Sequence, residues 1–366
     1  MKVLFTIDAL INAGTEKSIL SLCQHFSDDV QPSVAYFYNR HDLKNKFDNS
    51  KIPLFYAGLK GRYNFIMGIR WLIKLIQNEK PDLLVASLQR AGYMTRIAGK
   101  VTGVPVVGTF VNDTYNPYRE EQKGWKPYLF YLLDKCTAPL CELWISNADS
   151  IGKSNGKKLG IPAHKIKTVY RGRDFSKFNA WNPPVPDEKF RFVALGRLLE
   201  RKGYGDLIMA AYLLKQKNIP FIIDIYGAGS WEKELSHLIQ MKNLRDSVIL
   251  KGVVDDGFSV LYQYNAFLFP SWFEGFSGSL VEAMMTGIPI ICSDIPMNLE
   301  AVTNGETAIV HKVRDAESLA GCMESAIHNY KKMIHIGMNA RKVASASFDI
   351  NVIARQYENV LRAASN

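Results

Sequence analysis

Paired cysteines are missing. The chain carries five cysteines in 366 residues, Cys23, Cys136, Cys141, Cys292 and Cys322, and no C-x-x-C. An odd count at irregular spacing is expected of reduced, mostly buried thiols in a cytosolic protein, not of a disulfide framework. Long apolar runs are missing as well. No stretch approaches the ~18 apolar residues that a membrane-spanning helix needs. The first residues, MKVLFTIDALINAG, are interrupted by Asp8 and followed by no small-residue cleavage site. They read as a first β-strand and not as a signal peptide. No G-x-G-x-x-G follows that strand; YGAGS at 226–230 offers only G-x-G, which argues against a dinucleotide dehydrogenase. A nucleic-acid recognition motif is also lacking, and the basic residues are spread along the chain.

Hydrophobic residues make up 47% and charged residues 22%, ordinary for a chain that builds large cores. Lys+Arg 45 against Asp+Glu 35 leaves a net charge of +10, which favours an anionic partner: nucleic acid, a membrane surface or phosphorylated metabolites. Short apolar runs alternate with helical patterns from end to end. KVLFTID, SVAYFY, IPLFYA, DLLVAS, VPVVGTF, ELWISNA and KIKTVY predict strands in the first half, and FIMGIRWLIKLIQ (65–77) predicts a helix between two of them. Such alternation predicts βαβ units and a parallel sheet. NAWNPPVPDEK (179–189) has three prolines and no periodicity, and reads as a linker. The alternation then restarts with FRFVALGRL, PFIIDIYG, VILKGV, AFLFPS and IPIICSD, and the tail is helical from about 316. The expectation is an α/β protein of two doubly wound Rossmann-like domains, 1–178 and 179–346, facing across a cleft. A C-terminal helix in 347–366 packs back on the first domain. Ligands of open α/β sheets bind outside the carboxyl ends of the strands.

The stretch FEGFSGSLVE, 273–282, sets Glu274 and Glu282 eight positions apart around Gly275 and Gly278. Bare backbone before a helix suits a phosphate. Carboxylates beside that phosphate are placed to accept hydrogen bonds from polyol hydroxyls. The combination points to a nucleotide-sugar. For Glu282 the competing reading is a capping box, with Ser279 as N-cap and Glu282 at N3; for Glu274 it is a solvated loop. GRLLERKG places Arg197 and Lys202 where the first strand of the second half ends, a pair able to neutralise a diphosphate or simply an ordinary basic loop.

The E-x7-E of FEGFSGSLVE, the GRLLERKG loop and YGAGSWEKEL together resemble the retaining glycosyltransferases of family 4, which have the two-domain GT-B fold. The resemblance is strong over 190–345 and weaker before it, where INAGTEKSIL resembles the family's glycine loop with Ala13-Gly14 in place of a Gly-Gly pair and Glu16 following. It implies that Glu274 contacts hydroxyls of the transferred sugar, that Glu282 holds the ribose, and that Arg197 and Lys202 bind the diphosphate. Backbone around Phe276, Ser277, Gly278, Ser279 and Leu280 meets sugar and phosphate. The resemblance further implies that Gly252 to Val254, Val253 among them, border the base, that Gly227 belongs to the substrate site, and that Gly14 lets the N-terminal loop approach the donor phosphate. Two departures stand out. The family's histidine after the fifth strand is absent from GTFVNDTY, leaving Asn112 or Asp113 to line the site. The interdomain NG[VI]D appears as RGRD, 171–174, so Arg173 either joins the substrate site or forms a hinge salt bridge.

The implied reaction is a retaining, metal-independent transfer from a nucleotide-diphosphate-sugar, a UDP-sugar being the expected donor, with no cofactor and no nucleic acid. No D-x-D loop occurs; Asp255-Asp256 is expected to cap a helix. The acceptor is a saccharide or a lipid-linked one, in cell-surface polysaccharide or lipopolysaccharide assembly. Two basic, aromatic-bearing segments, 62–80 and 122–135, are either core helices with solvated basic faces or interfacial helices. They suggest a cytoplasmic protein peripheral at an anionic membrane surface. A nucleotide-sugar epimerase or hydrolase on the same fold is the rival enzyme, and a basic nucleic-acid-binding protein the rival class.

Overall fold

The computed structural model describes residues 1–61, 64–116, 125–184 and 189–365. Arg62, residues 122–124 and the side chains of Trp125 and Lys126, all in the two basic aromatic segments, lie outside the described residues, as do 185–188 of the proline-rich stretch. The chain forms two compact units, Met1–Gly172 with Ile350–Asn366, and Arg173–Asp349.

The first unit contains β1 (Lys2–Ile7), β2 (Gln31–Tyr38), β3 (Leu54–Leu59), β4 (Leu83–Ala86), β5 (Val106–Phe110), β6 (Leu143–Ser146) and β7 (Ile166–Thr168). Between them run α1 (Gly14–His25), α2 (Lys44–Asn49), α3 (Phe65–Glu79), α4 (Gln89–Thr102), α5 (Trp125–Thr137) and α6 (Asp149–Leu159). Every pairing is parallel, in the order β3-β2-β1-β4-β5-β6-β7. Central β1 is buried from Val3 to Ile7, as a strand covered by helices on both faces must be. The order reverses between β1 and β4, the switch point where doubly wound sheets open a crevice.

The second unit contains β8 (Phe190–Leu195), β9 (Phe221–Tyr226), β10 (Val248–Gly252), β11 (Ala266–Phe269), β12 (Ile290–Ser293) and β13 (Ile309–His311). Its helices are α7 (Tyr204–Gln216), α8 (Glu232–Met241), α9 (Gly278–Thr286), α10 (Pro296–Leu299), α11 (Ala316–His328) and α12 (Tyr330–Ser347). The order is β10-β9-β8-β11-β12-β13, so its switch point lies between β8 and β11. α13 (Ile350–Ser365) belongs to the first unit. Ile350, Ile353, Ala354, Tyr357, Leu361 and Ala364 form its buried stripe, and Glu358 accepts from Ser27 N at 2.6 Å and Ser27 Oγ at 2.9 Å.

The boundary falls at Gly172–Arg173 and not in the proline-rich stretch. The reason is Trp181. Its side chain is buried in the second unit, its indole N–H donates to Tyr264 O at 3.1 Å, and its backbone N–H donates to Thr286 O at 2.8 Å. Arg341 Nη2 also donates to Phe178 O, 2.9 Å away. Prolines without periodicity looked like a linker, but the tryptophan straps the segment down. Of the cysteines, Cys23, Cys141 and Cys292 are buried and Cys136 is exposed; burial pushes the Cys141 and Cys292 thiols up to about 12.

Candidate functional site

The loops that leave β8 and β11 flank the switch point of the second unit, and they are tied to each other. After β8 the chain makes a 3-10 turn, Glu200–Lys202, then turns at Gly203 with φ of 71° into α7. A Cβ at Gly203 would lie 2.0 Å from Pro270 O, so only glycine lets this turn lie against the β11 loop. Trp272 N donates to Arg201 O at 2.9 Å. Across this seam Lys202 Nζ pairs with Glu274 Oε1. The side chains are 12% and 10% exposed, so the pair is largely desolvated. Ser271 Oγ donates to the same Glu274 oxygen at 2.8 Å. Glu274 is therefore no solvated loop carboxylate. Arg197 differs from Lys202: it is exposed and has no ion pair among the described residues.

α9 begins at Gly278 with Ser277 as N-cap, and no side chain caps it. The expected capping box is not formed: Ser279 lies inside the helix with its Oγ 3.1 Å from Ser277 Oγ. Glu282 Oε1 instead accepts from Arg173 Nε at 2.7 Å. Arg173 stands over the helix start, where a Cβ at Gly278 would lie 1.9 Å from its Nη2. The first N–H groups of a helix lack intrahelical partners. Here they sit beside a guanidinium and between two carboxylates, which is a setting for a phosphate with neighbouring hydroxyls. Phe276 and Leu280 are each 1% exposed and their side chains belong to the core; the Phe276 ring meets Phe348 edge to face, centroids 5.3 Å apart.

Gly227 follows β9 with φ of 146°, and a Cβ there would fall 1.9 Å from Gly196 O. Its glycine is required by contact between the β8 and β9 loops. Val253 is exposed after β10. In the first unit, α1 starts at Gly14 without a side-chain cap, and a Cβ there would lie 3.3 Å from Arg171 Nη1. Asn112 is exposed beyond β5. Asp113 is buried and already engaged, accepting from Ser154 Oγ and Asn116 Nδ2, each at 2.9 Å. It organises the loop, and Asn112 is the freer of the two.

Sequence reading passed over several groups. Asp8, read only as a break in an apolar run, has its carboxyl pushed up by burial, against a 2.7 Å bond from Ala91 N and the nearby Arg90. Glu16, in the first turn of α1 and named in the sequence only as part of the glycine loop, is buried, and that burial raises its carboxyl to about 7; the Asp8 charge adds to the shift and Arg171 opposes it. Ser271 and the buried pair Arg96–Asp134 (2.6 Å) were missed too. The ion pair joins α4 to α5, 38 positions apart, and carries no local pattern. Among the described residues no cluster of three or more His, Cys, Asp and Glu side chains is arranged to hold a metal ion.

Both halves match known families. Residues 13–177 match the model described as Glycosyltransferase Family 4, and residues 176–343 the one described as Glycosyl transferases group 1. The capsular polysaccharide biosynthesis glycosyltransferase CapM of Staphylococcus aureus is 26% identical over 309 residues, covering 79% of this chain and 78% of that one. An Escherichia coli UDP-Gal:alpha-D-GlcNAc-diphosphoundecaprenol alpha-1,3-galactosyltransferase is 28% identical over 298 residues, covering 77% and 76%. Among solved structures, Anabaena Alr3699/HepE in complex with UDP superposes with a TM-score of 0.85 at 20% identity, covering 99% of this chain and 100% of that one.

Proposed function

Since the chain belongs to the family 4 glycosyltransferases with the GT-B fold and resembles an enzyme of capsular polysaccharide biosynthesis, we propose that it moves a sugar, with retention, from a UDP-sugar to a lipid-linked saccharide. The observation that carries the donor reading is the uncapped start of α9 between Glu274–Lys202 and Glu282–Arg173. The second unit takes the donor. N–H groups at the helix start and Arg197 receive the diphosphate. Glu282 accepts from ribose hydroxyls, and Glu274, held by Lys202 and Ser271, accepts from hydroxyls of the sugar. As the glycosidic bond to the diphosphate breaks, charge builds on the leaving oxygen, and Arg197, Lys202 and the helix start stabilise it. The acceptor hydroxyl attacks from the same face and gives its proton to that oxygen. Positioning and electrostatics are then the protein's whole share, and this cationic field supplies the positive charge.

Two features support a lipid-linked acceptor at an anionic membrane surface. The relatives include an enzyme named for a diphosphoundecaprenol-linked acceptor. In the first unit, α3 exposes Ile66 (69%) and Met67 (61%) beside exposed Arg70 and Lys74, and α5 exposes Tyr128 and Leu129. The two helices are connected through Phe65, Tyr93 and Phe130, whose ring centroids are 6.1 and 6.2 Å apart in sequence. No helix among the described residues is long and apolar enough to cross a membrane. A panel of nucleotide-sugars, scored first by thermal shift and then by the anomeric configuration of the product, tests the proposal. Stabilisation by UDP-sugars and a product that keeps the donor's anomeric configuration are expected. An inverted product, or hydrolysis or epimerisation with no transfer, would replace the mechanism.

A further inference from the structure

We infer that the first unit holds a pocket for an acylamino group of the acceptor saccharide, built on Arg96; this deepens, and rests on, the reading of that unit as the acceptor-binding half. A polar cavity of about 150 Å³ lies outside the carboxyl ends of β4 and β5. Arg96, from the second turn of α4, lines it and is only 3% exposed. Its Nη2 donates to Asp134 Oδ1 at 2.6 Å and its Nε to Gly92 O at 3.0 Å. The guanidinium carbon lies 5.3 Å from the centroids of both Tyr93 and Trp144. Nη1 is buried and has no hydrogen-bond partner among the described residues. Buried donors are almost always paired, and an unmade bond from a charged donor is costly, so this one calls for an acceptor that the described residues do not supply.

The surroundings say which kind of acceptor. Asp134 is heavily engaged: besides Arg96, its Oδ2 receives Tyr115 O–H and Gln89 Nε2, the latter at 3.1 Å. Burial and that carboxylate keep the Tyr115 phenol far above its ordinary range, so it stays a donor. The Arg96 charge is balanced by Asp134, which leaves no net attraction for a phosphate or carboxylate and favours a neutral carbonyl. Gln89 spends its Nε2 on Asp134, and its Oε1 remains an acceptor. Phe110 and Trp144, stacked with centroids 4.2 Å apart, form an apolar wall of the same cavity. A donor, an acceptor and an apolar wall match the carbonyl, N–H and methyl of one acetamido group. A hydroxyl at the same carbon would meet the donor and leave the wall and Gln89 unused.

The test needs no donor. The full chain is titrated, by ligand-observed NMR, with the methyl glycosides of N-acetylglucosamine and N-acetylgalactosamine and with their free-amine and hydroxyl counterparts. The acetylated glycosides are expected to bind about tenfold or more tightly, the ratio for one hydrogen bond from a charged donor. Arg96→Lys, which keeps a cation for Asp134, and Gln89→Leu, which keeps the Arg96–Asp134 pair, should each erase that preference while the chain stays folded. Equal binding of all three kinds, no binding of the acetylated ones, or a preference untouched by Gln89→Leu would overturn the pocket and leave it filled by water. Transfer without preference for acetylated acceptors would sink this inference and spare the transferase. Acetyl-dependent binding with no transfer from any nucleotide-sugar would do the reverse.

Discussion

Two cations that look alike in the sequence GRLLERKG stand in different physical states. Lys202 is largely buried against Glu274, whereas Arg197 is exposed and unpaired among the described residues. Their alanine variants should therefore separate. Lys202→Ala strands a buried carboxylate, and breaking such a pair costs about 3–5 kcal/mol, so the melting temperature should fall together with turnover. Arg197→Ala should leave the melting temperature unchanged and lower turnover on the order of a hundredfold, the usual loss for one stabiliser of departing charge. Normal turnover in Arg197→Ala would remove it from the diphosphate. Glu282 gives a third measurement. Because it makes no cap and its partner Arg173 is partly exposed, Glu282→Ala should change stability by no more than about 1 kcal/mol. UDP affinity, measured by calorimetry, should drop at least about tenfold if the carboxylate holds two ribose hydroxyls. A large stability loss with intact affinity would return Glu282 to a structural role.

At the scale of elements, the informative one is the start of α1. Glu16 enters the fold with its carboxyl raised from 4.5 to about 7, chiefly by burial. A raised acid binds more protons folded than unfolded between those values, so ionising it costs the folded state. Stability attributable to Glu16 is full below pH about 4.5 and is lost as pH rises through about 7. Asp8, raised in the same direction, adds to the trend. Glu16→Gln should flatten the fall in melting temperature over that window and leave the variant the more stable chain above pH about 7. An unchanged profile would mean that Glu16 is solvated in solution. The same helix start was legible in INAGTEKSIL as a glycine loop, and so was the start of α9. What the pattern S-x-x-E missed was that α9 begins two residues earlier than a capping box on Ser279 requires. Glu282 finds Arg173, 109 positions away, a stronger partner than its own backbone. The three-residue β13 and the short α2 and α10 fell below what periodicity resolves, since one turn or three residues carry no repeat.

For the whole molecule, the net charge of +10 and the apolar faces of α3 and α5 lead to one expectation. The protein should sediment with anionic vesicles and not with neutral ones, and salt should weaken the association, since each basic residue near such a surface contributes about 1 kcal/mol, screened by ions. Met67→Asp together with Leu129→Asp should abolish it without touching transfer to a soluble acceptor analogue. Equal partitioning to both vesicle types would leave a transferase whose acceptor reaches it from solution.

The sequence by itself determined the alternation of strand and helix, the two-unit α/β architecture, the glycine-rich helix start and the two carboxylates, because each is written in neighbours a few positions apart. Only the tertiary structure decided that the chain changes unit at Gly172, that Trp181 fastens the proline stretch, that Lys202 is buried on Glu274, and that Arg96 keeps one donor unspent among the described residues beside a cavity. Those facts depend on burial and on partners far apart in the chain. Desolvation, which sets the cost of a charge or an unpaired N–H, exists only once the surrounding chain has closed over it.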